Sequence, residues 1–338
     1  MRLKLSVIII FALVTFGTPF AVFLAQKDTS SPAPPQTSSA TSGAADKGQQ
    51  KSHTIKVLDG STGQVQELAL RDYLYGAVAA EMPPNFSQEA LKAQAIACST
   101  YAVRLKQQAA TSPNADLKGA DISVDSKVHQ GYVSTDEMKK MWGDNFDTYF
   151  ALIKDAVDPV ADQVLTYEGA PIISAYHSIS PGKTEAAADI WGQEVPYLVS
   201  VDSPGDALAP DYETKEVFTA AVVKENLLTA FSDIAFTEDP AGWFTDPAAT
   251  AAGSVKTIKV CGKELTGDDI RTALNLRCAA FTVAFADGNF TFTVKGYGHG
   301  VGMSQYGADY MGRQGSSYQD ILAHYFPNTS VEPIDNFL

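Results

Sequence analysis

Two consecutive prolines, Pro83 and Pro84, stop any helix that reaches them, and the residues just before them are patterned as a helix. In Asp72-Tyr73-Leu74-Tyr75-Gly76-Ala77-Val78-Ala79-Ala80-Glu81-Met82, the apolar Leu74, Ala77 and Val78 sit at i, i+3 and i+4. Glu81 falls at i+7 on the same stripe. Asp72 suits the start of this helix. The spacing therefore puts an acid on the buried face of a last turn, among alanines, Val78 and Met82. Burial and the negative end of the helix dipole both disfavour the carboxylate there. That is what a general acid working near neutral pH requires. The competing reading is a glutamate that turns to solvent or caps a neighbouring amide, and the residues alone leave both open.

With 338 residues, 45% of them hydrophobic, the chain can bury the core of one or two domains. A net charge of -14 argues against nucleic acid as the main partner, and against an anionic membrane surface. Residues 1–4 hold two basic side chains and are expected to be cytoplasmic. Residues 5–25 carry no charge and are long enough to cross a bilayer. A removable signal peptide interrupted at Gly17-Thr18-Pro19 is the competing reading. The run exceeds a usual signal core, however, and no small-x-small site abuts its end. The expectation is an uncleaved transmembrane anchor over 5–25, a single pass in the cell membrane, with everything after it extracytoplasmic. Residues 26–52 are Ser, Thr, Ala, Pro, Gln and Gly with few large apolar groups, and read as a disordered linker. The globular part is 53–338.

That part opens as strand, turn and strand over 54–68, followed by the Glu81 helix. Ser87 caps a second helix running to about Gln108, with Cys98 on its apolar stripe. A helix is predicted over 136–152, and a hairpin of strands over 164–167 and 172–177. A turn-rich loop, His177-Ser178-Ile179-Ser180-Pro181-Gly182-Lys183-Thr184, leaves that hairpin, and such loops often carry binding groups. A helical stretch is expected over 215–231, strands over 255–260, 281–285 and 290–294, and a short capped helix over 266–274. The whole reads as α+β, mixed helices and antiparallel sheet around one cleft, with a small inserted α/β subdomain near 210–290. Cys261 and Cys278 are either a disulfide or two small core residues.

Near the end stands Gly296-Tyr297-Gly298-His299-Gly300-Val301-Gly302-Met303-Ser304-Gln305-Tyr306-Gly307-Ala308. Alternate glycines let backbone approach a ligand or another segment closely. The run lacks the Gly-Lys-Ser/Thr ending of a phosphate loop. His299 is either a polar site group or a histidine fixed by loop carbonyls. His324, in the closing helix, reads as structural.

Three separated blocks resemble the stage II sporulation protein D (SpoIID) family, related to the amidase enhancer LytB. They are Tyr73 to Tyr101, similar to that family's Y-L-x-G-V-V-A-A-E-M-P and E-A-L-K-A-Q-A; His177 to Trp191, similar to H-S-x-S-G-G-x-T…W-G; and Gly296 to Ala308 with His324-Tyr325-Phe326-Pro327, similar to G-x-G-H-G-V-G-M-S-Q-Y-G-A and H-Y-Y-P-G-T. Leu265 to Cys278 is similar to L-S-G-x-E-L-R-x-x-L-G-L-R-S. Pro181 and Asn328 stand where the family has glycine. His129 alone remains where some members carry a Cys/His metal cluster, so no structural zinc is expected there.

The resemblance implies a lytic transglycosylase that cleaves the MurNAc–GlcNAc linkage of peptidoglycan and leaves a 1,6-anhydro-MurNAc end. It acts on glycan strands stripped of stem peptides by a partner amidase (SpoIIP-like), within a membrane engulfment complex during sporulation. The family's catalytic glutamate corresponds to Glu81. Candidate substrate-binding residues are Tyr101, His177, Ser178, Lys183, Thr184, Tyr297, His299 and Gln305, with Trp191 as a stacking surface. No cofactor is implied. The alternative is a non-catalytic amidase enhancer that binds wall and recruits or activates a hydrolase. Direct amidase action is disfavoured, because the sequence shows no zinc ligand set.

Overall fold

The computed structural model describes residues 53–60, 62–125 and 129–338. Its spine is the helix Gln88–Thr111, rich in alanine and leucine, both strong helix formers. The Ser87 hydroxyl accepts the Ala90 amide at 3.3 Å and caps it, as the sequence predicts. Against the spine pack the helices Leu70–Glu81, Phe146–Val157, Gln305–Arg313 and Tyr318–Tyr325 and the strand Gln163–Tyr167. The main core lies between them, with Leu74, Val78, Leu91, Ile96, Val164, Tyr325 and Phe326 all buried.

Thr54–Leu58 and Val65–Ala69 form the predicted antiparallel hairpin, and Thr54–Leu58 also pairs in parallel with Ile122–Ser123. The chain then enters Leu70–Glu81 two residues before Asp72, with Ala69 at the cap and no side-chain cap bond. Asp72 lies in the first turn, where its charge suits the dipole. The helix ends at Glu81 because Met82 is extended (φ -128°, ψ 144°) ahead of Pro83.

Three sequence expectations are corrected. The helix predicted over 136–152 is two, Thr135–Trp142 and Phe146–Val157, split by a 3-10 turn at Gly143–Asn145. The stretch 215–231 is helical only from Ala220. Glu213–Thr219 alternates exposed and half-buried residues and pairs antiparallel with Asn289–Lys295, and the Thr219 hydroxyl caps the helix Ala220–Ala230. Period 2 wins there until the cap. In the predicted hairpin only Ala170–Pro171 returns along Gln163–Tyr167. Tyr176–His177 instead pairs in parallel with Met303–Ser304, more than a hundred residues away in the chain. Gly302 makes that crossing feasible. Its φ is +77°, and a Cβ on it would lie 2.0 Å from the Ala175 carbonyl oxygen.

Residues 213–295 build two three-stranded antiparallel sheets, Phe281–Ala286 with Asn289–Lys295 and Glu213–Thr219, and Lys263–Thr266 with Val255–Val260 and Phe244–Ala249. The helix Gly267–Leu274 carries a capping box between Thr266 and Asp269. Val223, Leu227, Ile258, Ile270, Phe290, Phe292 and Val294 fill a second core that shares no residue with the first. With helices segregated from small, mostly antiparallel sheets, the fold is α+β. Cys98, Cys261 and Cys278 are free thiols.

The expected single-pass membrane placement is corrected. Among the described residues no helix is long and apolar enough to cross a membrane. The run 5–25 that carried the expectation, and the linker 26–52, lie outside the described residues.

Candidate active site

Glu81 is 4% exposed. One carboxyl oxygen accepts the Gly131 amide at 2.6 Å, and no ion pair reaches it among the described residues. Burial pushes its pKa up to about 7, against the Gly131 bond and the polar groups of Tyr176 and Gln305, which pull it down. The helix that ends at Glu81 thus presents a carboxyl that is mostly protonated below neutral pH. The close seat of Gly131 is steric: a Cβ there would lie 3.0 Å from Glu81 Oε1 and 3.1 Å from the Ala80 Cβ.

Tyr101, His177 and Gln305 come from three elements; Tyr101 Oη and His177 Nε2 are buried with no hydrogen-bond partner, and the buried Gln305 amide acts on the Glu81 carboxyl. Tyr101 lies on the spine, close enough for the Glu81 charge to raise its hydroxyl pKa further above what burial does. His177 Nδ1 donates to the Val301 carbonyl at 3.2 Å, and burial lowers the ring pKa to about 4. The imidazole is therefore neutral, with Nε2 as a bare acceptor. Gln305 opens the helix Gln305–Arg313, beside the strand pair that holds Tyr176 and His177.

His299 packs against His177. Its Nδ1 accepts the Val301 amide at 3.0 Å, its ring lies 5.8 Å from that of His177, and Trp191 stands 5.7 Å away on another side. Burial first, then His177 and Arg271, lower its pKa to about 3, so it too is neutral. The loop thus holds the His299 ring through the Val301 amide, and His177 and Trp191 lie against it.

The remaining candidates sit elsewhere. Lys183 pairs with Asp202 at 2.9 Å on the surface. Thr184 is buried and serves backbone, accepting the Val201 amide at 3.0 Å and donating to the Val199 carbonyl at 3.3 Å. Ser178 is buried, and its carbonyl accepts the Tyr306 amide and the Ser304 hydroxyl. Tyr297 pairs through its backbone with Ile179, and its ring carries the Arg277 guanidinium.

Sequence reasoning missed the network behind Glu81. The Gln130 amide donates to Tyr73 Oη at 2.7 Å and to the Cys98 carbonyl at 3.3 Å, while the Tyr176 hydroxyl donates to Gln130 Oε1 at 3.2 Å. A buried Gln beside Gly131, in His129-Gln130-Gly131-Tyr132, was the available signal. Asp206, also missed, is fully buried. It accepts the Ser180 amide at 3.0 Å, the Ser304 hydroxyl at 2.6 Å and the Ser180 hydroxyl, and burial raises its pKa. Ser304 also caps the Gly307 amide, so Asp206 anchors the helix that carries Gln305.

Comparison with known proteins gives the family of the chain. The family model described as SpoIID, stage II sporulation protein, matches residues 58–167, which contain Glu81, Tyr101 and Gln130-Gly131. Stage II sporulation protein D of Bacillus amyloliquefaciens is 39% identical over 285 residues, 84% of this chain and 80% of that one. Stage II sporulation protein D of Bacillus subtilis (strain 168) is 37% identical over 287 residues, again 84% and 80%. The amidase enhancer of Bacillus subtilis is 28% identical, covering 76% of this chain and 40% of that protein. At such identity over most of both chains, this protein belongs to the stage II sporulation protein D family.

Proposed function

We propose that the chain is a peptidoglycan lytic transglycosylase with Glu81 as its acid and base. The carrying observation is one carboxyl, buried and protonated up to about pH 7, with no second carboxylate among the groups that act on it. A hydrolysing glycosidase needs two carboxylates, one of them to serve as nucleophile or to activate water. A transglycosylase needs one. Glu81 gives its proton to the glycosidic oxygen as the C1–O bond breaks. The resulting carboxylate then takes the proton of the C6 hydroxyl as that oxygen bonds to C1 of the same sugar, closing the 1,6-anhydro ring. The unsatisfied Tyr101 and His177 atoms, with Gln305 beside the acid, are the groups that hold the sugar in place. The reading assigns the catalytic domain to 53–338. It sets the chemistry in sporulation, as the Bacillus relatives are named, on glycan cleared of stem peptides by a SpoIIP-like partner amidase.

A second reading has a specific observation behind it, the relative named amidase enhancer. In that case the chain binds wall and stimulates a hydrolase without cutting. Digestion of amidase-treated peptidoglycan, followed by mass spectrometry, separates the two. The enzyme reading expects anhydro-MurNAc ends that fall at least about a hundredfold in Glu81→Gln, with wall binding kept. Binding without such ends from the unaltered chain would leave the enhancer.

A further inference from the structure

In the proposed reaction Glu81 gives up its proton and stands for part of each turnover as a buried carboxylate. The groups that act on it are Gly131, Tyr176 and Gln305, and no cation is among them. Burial raises the pKa values of Tyr73, Cys98, Tyr101 and Tyr176, and lowers those of His177 and His299 to about 4 and about 3. All six are therefore neutral near pH 7, and of this group only Glu81 changes charge there. A buried carboxylate without a counter-ion has to be met by hydrogen-bond donors. Gly131 supplies one through its amide at 2.6 Å, while Gln305 and Tyr176 act through their side chains.

Tyr176 differs from the other two in having a choice of acceptor. It is 2% exposed, and its hydroxyl has one proton to give. That proton goes to Gln130 Oε1 at 3.2 Å, long for a hydrogen bond between two oxygens. The Gln130 amide cannot be turned over. The Cys98 carbonyl at 3.3 Å only accepts, so it takes one Nε2 hydrogen, and the other goes to Tyr73 Oη at 2.7 Å. Cys98 Sγ lies 3.9 Å from the Tyr176 oxygen, takes the Gln94 amide at 3.3 Å and competes weakly. The Tyr176 hydroxyl thus stands between a neutral amide oxygen and the Glu81 carboxyl.

We propose that Tyr176 is a positioning residue whose hydroxyl proton turns from Gln130 to Glu81 when Glu81 gives up its own proton, and turns back when Glu81 recovers one. This rests on the glycan-cleaving reading of Glu81 and adds a residue that acts through it. While Glu81 is an acid, the hydroxyl donates to Gln130 Oε1. Once the glycosidic oxygen has taken the proton, the carboxylate is the stronger acceptor and the long bond to Gln130 is given up. Uptake of the C6 hydroxyl proton restores the first arrangement. Tyr176 itself never ionises, since burial holds its pKa well above the usual value.

The test is Tyr176→Phe, with the Glu81 carboxyl carbon titrated by NMR in the full chain and its resonance identified by Glu81→Gln. Loss of a donor to the charged form is expected to raise the Glu81 pKa by about one unit or more. A site merely loosened by the missing hydroxyl admits water, which lowers the pKa toward the ordinary 4.5, so the sign separates the two. The alkaline limb of kcat/KM on amidase-treated peptidoglycan is expected to move up with the titration. At pH 6 kcat is expected to fall roughly tenfold with KM little changed, because the developing carboxylate has lost a donor. An unmoved or lowered pKa in folded Tyr176→Phe overturns the assignment. Should that variant lose its native circular dichroism, 3-fluorotyrosine in place of Tyr176 keeps the hydroxyl and makes it a stronger donor. The Glu81 pKa is then expected to fall, and an unmoved value overturns the proposal. Anhydro ends from the unaltered chain, with no rise in Tyr176→Phe, would sink the proton switch alone. A rise without anhydro ends would sink the cleavage reading alone.

Discussion

Glu81 sets two pH dependences that can be worked out from one shift. Its pKa rises from 4.5 to about 7 in the folded chain, with burial as the main cause. The acid form does the first step of the proposed reaction, so kcat/KM on amidase-treated peptidoglycan is expected to fall about tenfold per pH unit above pH 7. A flat profile from pH 6 to 9 would remove Glu81 from that role. The same shift acts on stability. Between pH 4.5 and 7 the folded chain holds a proton that the unfolded chain has released, so stability is greatest below 4.5 and is lost as pH rises through 7. The full loss is about 3 kcal/mol. Glu81→Gln keeps an oxygen for the Gly131 amide and carries no charge. It is expected to be more stable than the native chain at pH 8 by up to that amount, with the gap closing below pH 4.5. Urea denaturation at the two pH values checks this. The acid itself was legible in the sequence, because a stripe position and two prolines are local facts. The groups that hold it, Gly131 and Tyr176, and Gln130 behind Tyr176, were not, because they are separated from it in sequence and come together only in the folded chain.

At the scale of elements, the strand pair Tyr176–His177 with Met303–Ser304 aligns the site. One strand brings Tyr176 and His177, and the other runs straight into the helix that starts at Gln305. Gly302 is the hinge of this pairing. Gly302→Ala would force a Cβ into the Ala175 carbonyl at a positive φ. It is expected to cost about 2 kcal/mol or more by denaturation and to lower cleavage even where the chain still folds. Full stability and full activity in that variant would mean that the pairing is not needed. The sequence disclosed the helices with clear caps, Ser87 and Thr266 among them, since a cap and an apolar stripe lie within one element. It did not disclose Glu213–Thr219 as a strand, because the helical pattern of the next element overlaps it. Nor did it disclose the partner of Tyr176–His177, because period-2 patterning says that a strand exists and not what it pairs with.

For the whole molecule, the two cores share no residue, and polar groups join them. The Glu185 carboxylate, on the main body, accepts the Thr250 hydroxyl at 2.9 Å and the Ser254 amide at 3.3 Å, and Lys256 pairs with Asp189 at 2.7 Å. A polar seam between separate apolar cores is the signature of units that open independently. We infer that 213–295 is such a unit, folded on its own core. Phe292 is buried at its centre, against Phe218, Phe244 and Phe281. Phe292→Ala is expected to cost that unit about 3–5 kcal/mol. Hydrogen exchange should then show faster amides in Phe281–Ala286 and Asn289–Lys295, with the spine Gln88–Thr111 protected as before. Equal loss of protection in both regions would make the chain one cooperative unit.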